Sequence, residues 1–127
     1  MKTSADRWKS MTSEIDVDMP ICDRRIKVRV TSRDDGDMDV EIVSDCPALA
    51  HYAESLRVIS MDDITSFETS VINRESVRGN MSMICAAPIA VYQAAWMECG
   101  MLSPGIYRKM GPVAMGTPEA MEKGRRI

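Results

Sequence analysis

No two cysteines in this chain are spaced as C-x-x-C, there is no glycine-rich phosphate loop or dinucleotide fingerprint, and the only histidine is His51. The first absence removes the local zinc and redox motifs, so any metal on cysteine must be assembled by the fold. The second removes the common nucleotide-binding signatures. The third leaves His51 alone to serve a cysteine nucleophile. No apolar run approaches the roughly 20 residues that span a bilayer. The start, Met1-Lys2-Thr3-Ser4-Ala5-Asp6-Arg7, lacks the apolar stretch of a signal peptide. A cytoplasmic protein without a transmembrane segment of its own is expected. With a net charge of −3 there is no broad basic footprint, and nucleic acid is not an expected partner.

What the chain does have is four cysteines, Cys22, Cys46, Cys85 and Cys99, and twelve methionines beside one phenylalanine. In a reducing compartment cysteines remain thiols or bind metal rather than build a disulfide framework. Methionine fills irregular cores and also makes adaptable partner surfaces. A length of 127 residues suits one domain with a real core. Composition places an N-terminal arm at 1–13, a cysteine-containing domain at 14–111 and a Gly-, Pro- and charge-rich tail at 112–127.

Apolar residues alternate at Ile15, Val17, Met19 and Ile21, again at Ile26, Val28 and Val30, and again at Met38, Val40 and Ile42. A period of two predicts strands with one buried face, Pro20 ends the first, and Asp35-Gly36 supplies a hairpin turn between the last two. Ser44-Asp45-Cys46-Pro47 predicts a helix start and a helix over 47–58, and Ser60-Met61-Asp62-Asp63 a second cap opening a segment to Phe67. Ile89, Tyr92, Ala95 and Trp96, spaced by three and four and followed by Gly100, predict a helix over 86–99 with Trp96 partly in the core. Ile106–Met110 reads as a last short strand. The expected fold is α+β: a small antiparallel sheet of three to four strands covered on one side by two main helices, with extended arms.

If Cys85 to Cys99 is one helix, fourteen residues at a rise of about 1.5 Å separate the sulfurs by roughly 20 Å, too far to share an ion. A site of three, Cys22, Cys46 and Cys85, remains open, with Cys99 outside it; small buried thiols are the alternative use. Cys46 and Cys85 fall at helix starts, where free N–H groups and the dipole favour a thiolate, the form that binds metal. His51, about 140° round the helix from Cys46, reads as a surface or packing residue. The acidic run Asp34, Asp35, Asp37, Asp39 reads as a solvated hairpin tip, since it lacks the glutamate-terminated calcium-loop pattern.

The segments Pro20-Ile21-Cys22, Ser44-Asp45-Cys46 and Cys85-Ala86-Ala87-Pro88, with Glu98-Cys99-Gly100-Met101-Leu102-Ser103-Pro104 after them, resemble a family of small uncharacterised three-cysteine proteins of methanogenic archaea. That family has an Ile-Cys-Gly-like segment, a Ser-Asp-Cys segment and a Cys-Pro-x-Pro-like segment opening a helix that ends in Gly-Leu-x-x-Pro. The resemblance covers about residues 15–104 and selects Cys22, Cys46 and Cys85, whereas Cys99 falls outside its pattern. Asp23 and Ala86 depart from it, standing for a glycine and a proline. It implies a [4Fe-4S] cluster in an anaerobe's cytosol, with zinc as the alternative, and one coordination position left for another residue, solvent or a partner.

The function expected is therefore that of a small accessory or regulatory protein, redox or oxygen responsive, docked on a larger complex. A methanogenesis methyltransferase or reductase complex is the context the resemblance implies. The two arms are too poor in apolar surface to order alone, so a partner would supply the missing contacts. Trp8 is the candidate aromatic anchor, and Met115, Met121, Arg125 and Arg126 are the adaptable ones. The alternatives are a zinc-stabilised binding module and an enzyme using an open metal position or a reactive Cys99. No catalytic constellation is legible, and a non-enzymatic role is preferred.

Overall fold

Strand β1 (Thr12–Met19) points Ile15, Val17 and Met19 inward and leaves Glu14, Asp16 and Asp18 exposed, as its alternation requires. The computed structural model that shows this describes residues 12–124. Strand β2 (Arg24–Ser32) buries Ile26, Val28 and Val30, β3 (Met38–Ser44) buries Met38, Val40 and Ile42, and a two-residue β4 (Val58–Ile59) completes an antiparallel sheet of order β1-β2-β3-β4. In register, Ile15, Val28 and Ile42 form one row across the inner face. The outer face is a charge lattice: Glu14 meets Arg29 at 2.7 Å, Arg29 meets Glu41 at 3.0 Å, and Lys27 lies 3.9 Å from Asp16. The α+β fold expected from the sequence is the fold found.

The turn between β2 and β3 is the expected one, with Gly36 at φ 95° and the Arg33 N–H donating to the Asp37 carbonyl. Between β1 and β2 the chain turns through a 3₁₀ segment, Pro20–Cys22, and Asp23 at φ 55° donates its N–H to the Pro20 carbonyl. That left-handed position favours Gly, Asn or Asp, and Asp23 meets the preference. β1 takes in Thr12 and Ser13, the last two residues of the segment assigned to the arm at 1–13; residues 1–11 and 125–127 lie outside the described residues.

The helices are α1 (Ala50–Ser55), α2 (Met61–Thr65), α3 (Glu75–Arg78), α4 (Ala87–Glu98), α5 (Gly105–Met110) and α6 (Pro118–Gly124). The helix expected over 47–58 is shorter. It enters through a 3₁₀ turn, Pro47–Leu49, and stops at Leu56 because Val58 and Ile59 pair with Asp39 and Met38 as β4. Ser60 and Asp63 form a reciprocal capping box on α2, which ends at Thr65 rather than Phe67. The strand expected at Ile106–Met110 is helix α5 instead: Pro104 starts it, and the Tyr107 hydroxyl bonds to Gln93 of α4. Helix α6, within the tail, is short and mostly exposed.

Helix α4 packs over β1 and β2. Its buried stripe is Ala87, Ala90, Val91, Ala94 and Ala95. Of the four residues expected on the inner face, Ala95 is buried and Tyr92 half-buried, whereas Ile89 and Trp96, the latter expected partly in the core, are 48% and 40% exposed. Small residues let the helix settle close to the sheet, and the larger ones are displaced to its flanks, where the Trp96 indole N–H donates to the Ile64 carbonyl at 2.9 Å. Tyr52, Leu56, Ile59, Ile72, Val28, Val30 and Val91 are the largest fully buried side chains. Each such aliphatic residue contributes about 1.5–3 kcal/mol relative to exposure. No helix among the described residues is long and apolar enough to cross a membrane.

Candidate functional site

Pairing of β2 with β3 brings the start of one strand beside the end of the other, with Ile26 opposite Ser44. The turn holding Cys22 therefore lies next to the segment holding Cys46. Arg24 fastens them, its guanidinium donating to the Asp45 carbonyl at 3.2 Å and meeting the Asp45 carboxylate at 3.5 Å. Cys46 caps the 3₁₀ turn, with its N–H donating to Ser44 Oγ at 3.2 Å, and its side chain is half-buried against the core. Cys22 is exposed, its thiol directed at the Met19 carbonyl 3.6 Å away.

Cys85 precedes α4 and is half-buried. Burial pushes its thiol up, and the nearby Cys46 and Cys22 add to that, against a hydrogen bond from the Ala87 backbone N–H and the charge of Arg78, which pull the other way. The helix start thus supplies the expected N–H donor, but desolvation outweighs it, and the expectation of a readily ionised Cys85 is corrected for the thiol form. The same interactions identify Cys22, Cys46 and Cys85 as electrostatic neighbours. Cys99 stands apart at the far end of α4, its thiol directed at the Trp96 carbonyl at 3.5 Å. A 12-residue helix, about 18 Å long, separates it from the other three.

Among the described residues, no three His, Cys, Asp or Glu side chains are gathered closely enough to hold a metal ion as they stand. One tetrahedral zinc requires its sulfurs about 3.8 Å apart, given Zn–S bonds of about 2.3 Å. A [4Fe-4S] cluster takes each thiolate on a different iron, so its ligands surround it without converging on a point. Cys22 lies in a turn, Cys46 caps one, and Cys85 lies in the loop before α4.

Ile21, Met83 and Ile84, next in sequence to Cys22 or close before Cys85, are 76%, 92% and 71% exposed. These apolar neighbours of the candidate ligands are not singled out by periodicity. Their signal is large apolar side chains in turn segments, where polar residues are usual. His51 is a packing residue: its Nε2 donates to the Ser76 carbonyl at 2.9 Å and its ring lies against Gly79, where a Cβ would sit 2.7 Å from His51 Cδ2. The acidic hairpin tip is exposed, with Asp35 and Asp39 both paired to Arg33. Met115 is 82% exposed and Met121 is half-buried on α6. Trp8, Arg125 and Arg126 lie outside the described residues.

A model described as a family of unknown function, DUF6951, matches residues 13–107, which cover all of the sheet but Thr12, α1 to α4, the start of α5 and all four cysteines. No curated protein and no solved structure matches the chain.

Proposed function

Since the chain belongs to DUF6951, a family that lends it no activity, we propose from its own residues that it is a small accessory or regulatory protein. It holds a [4Fe-4S] cluster on Cys22, Cys46 and Cys85 and docks on a larger protein complex. The observation that supports this reading is that the turn holding Cys22 lies beside the segment holding Cys46, with Cys85 near enough for both to act on its thiol. The cluster would supply one-electron redox chemistry and sensitivity to oxygen. The chain's part is to orient and tune. The Ala87 N–H donates to the Cys85 sulfur and Arg78 lends positive charge nearby, both of which favour thiolate. Ser44 fixes the Cys46 backbone.

Regulation follows from position. Cys22 and its neighbour Ile21 occupy an exposed turn, and Met83 and Ile84 precede Cys85, so a change in cluster occupancy alters the surface beside it. Docking through the arms, with Trp8, Met115, Met121, Arg125 and Arg126 as contacts, completes the proposal. A methyltransferase or reductase complex of methanogenesis is the partner class implied by the three-cysteine resemblance. Anaerobic purification, an absorption spectrum and metal analysis test it. Iron and acid-labile sulfide in equal amounts are expected. Zinc without iron favours the binding-module alternative, and anaerobically reconstituted protein with neither overturns the metal reading. Removal of both arms is expected to leave the cluster in place and abolish co-purification with the partner.

A further inference from the structure

Strand β3 is longer than its neighbour on the open side of the sheet. β4 covers it only at Met38 and Asp39, with one more bond from the Val40 N–H to the Arg57 carbonyl at 2.8 Å. Backbone groups alternate sides along a strand, so those that face this edge belong to residues 38, 40, 42 and 44. The partners that would continue the ladder, residues 55 and 53, are in helix α1. Past Val40 the edge is therefore left by β4, and a groove of about 560 Å³ opens between β3 and α1, lined by residues that include Val40, Ile42, Ala53, Glu54, Arg57 and Val58. Unpaired edges of this kind are templates for an added strand.

The chain also carries a segment suited to that edge. Between α5 and α6, residues 112–117 run without a turn or bend and are all exposed. Val113 and Met115, at alternate positions, are 63% and 82% exposed. Pro112 and Pro118 bracket the segment, so its free N–H groups span residues 113–117, one residue more than the open part of β3 from Glu41 to Ser44. Alternating apolar side chains on an extended segment with no sheet of its own are the pattern of a strand that completes another sheet. Charge adds no term of its own: Glu54 and Arg57 offset each other in the groove, and Asp39 and Glu41 are already paired with Arg33 and Arg29.

We propose that residues 113–117 of one copy add as a strand to the open β3 edge of a second copy, and that the exchange is reciprocal. A single short strand falls below the roughly 800 Å² per partner of a stable interface, whereas two exchanges related by a two-fold axis double the buried area and close the assembly. The proposal rests on the reading of the C-terminal tail as a docking element and does not involve the cysteines.

The test is light scattering and sedimentation on the full chain over a range of concentration, with Val113→Asp/Met115→Asp as the tail variant and Ala53→Arg as the groove variant. The expected results are a dimer for the unaltered chain and at least about tenfold weaker dimerisation in each variant. Mixing the variants restores one of the two exchanges, so association in the mixture should exceed that of either variant alone and fall short of the unaltered chain. Unchanged far-ultraviolet dichroism checks that both remain folded. A monomer throughout, or a dimer indifferent to the tail variant, overturns the proposal. A monomer that still binds its larger partner through the tail keeps the docking reading and sinks this one alone.

Discussion

Glu98, on the last turn of α4, accepts two hydrogen bonds from Ser32 at the end of β2, from its backbone N–H at 3.1 Å and from its hydroxyl at 2.7 Å. Its other oxygen accepts from the Ser13 hydroxyl of β1 at 2.9 Å. One carboxylate thus ties the helix to both strands beneath it. Glu98→Ala removes all three bonds and is expected to lower stability by about 1–3 kcal/mol. Glu41→Ala, on the exposed face, should stay within about 0.5 kcal/mol. Denaturant titration of the two variants checks the contrast, and equal effects would show that Glu98 is no more than a surface residue.

Tyr52 is fully buried and donates its hydroxyl to the Ile72 carbonyl at 2.8 Å. Tyr52→Phe leaves that carbonyl unpartnered and should cost about 1–3 kcal/mol. Burial also holds the phenol well above its ordinary range. An unfolded tyrosine ionises near about pH 10, so the hydroxyl's contribution is complete below that pH and is lost as pH rises toward the folded value. Stability measured from neutral to alkaline pH should fall more steeply in the unaltered chain than in Tyr52→Phe. Parallel curves would mean that this phenol ionises as freely in the folded chain as in the unfolded one.

For the proposed cluster, Cys22→Ser, Cys46→Ser and Cys85→Ser should each reduce iron in anaerobically prepared protein, with Cys99→Ser as the control that does not. Iron quantification beside the absorption spectrum reads this directly. Loss in Cys99→Ser equal to the others would mean that the helix between Cys85 and Cys99 does not separate them as described.

Gly79 combines φ 63° and ψ −131° with the close approach of His51. Gly79→Ala is strained on both counts and should cost about 1–3 kcal/mol, measured by thermal or chemical unfolding. Because this turn leads to the Cys85 loop, the variant should also retain less iron after reconstitution. A stable variant with full iron content would separate the His51 contact from the site.

Much of this was legible where local chemistry decides the structure. The first three strands follow from strict alternation, the β2–β3 turn from Asp-Gly, and the start of α2 from Ser60 and Asp63. The separation of Cys99 from Cys85 needed only the rise of a helix. What escaped depends on partners distant in sequence. Two residues, Val58 and Ile59, carry too little periodicity to announce β4, yet β3 captures them. Ile106–Met110 looks like a strand by composition, and it becomes α5 through Pro104 and the Tyr107–Gln93 bond. The alanine stripe of α4 buries the smaller residues, which a hydrophobicity pattern ranks below Ile89 and Trp96. Cys85 shows the limit most plainly: its place before a helix is readable, but the burial that raises its thiol is set by the packing of the fold.

The charged face of the sheet constrains how anything approaches this molecule. β1 presents Glu14, Asp16 and Asp18, β2 Arg25, Lys27 and Arg29, and β3 Asp39 and Glu41, so a positive line runs between two negative ones a strand apart. Opposed lines at that spacing, about 5 Å, largely cancel each other within the roughly 8 Å over which physiological salt permits charges to act. With five carboxylates to three cations the face is densely charged close up and only weakly negative at a distance. Encounter rates with a partner should therefore change little with ionic strength, and recognition must rely on short-range contacts away from this face.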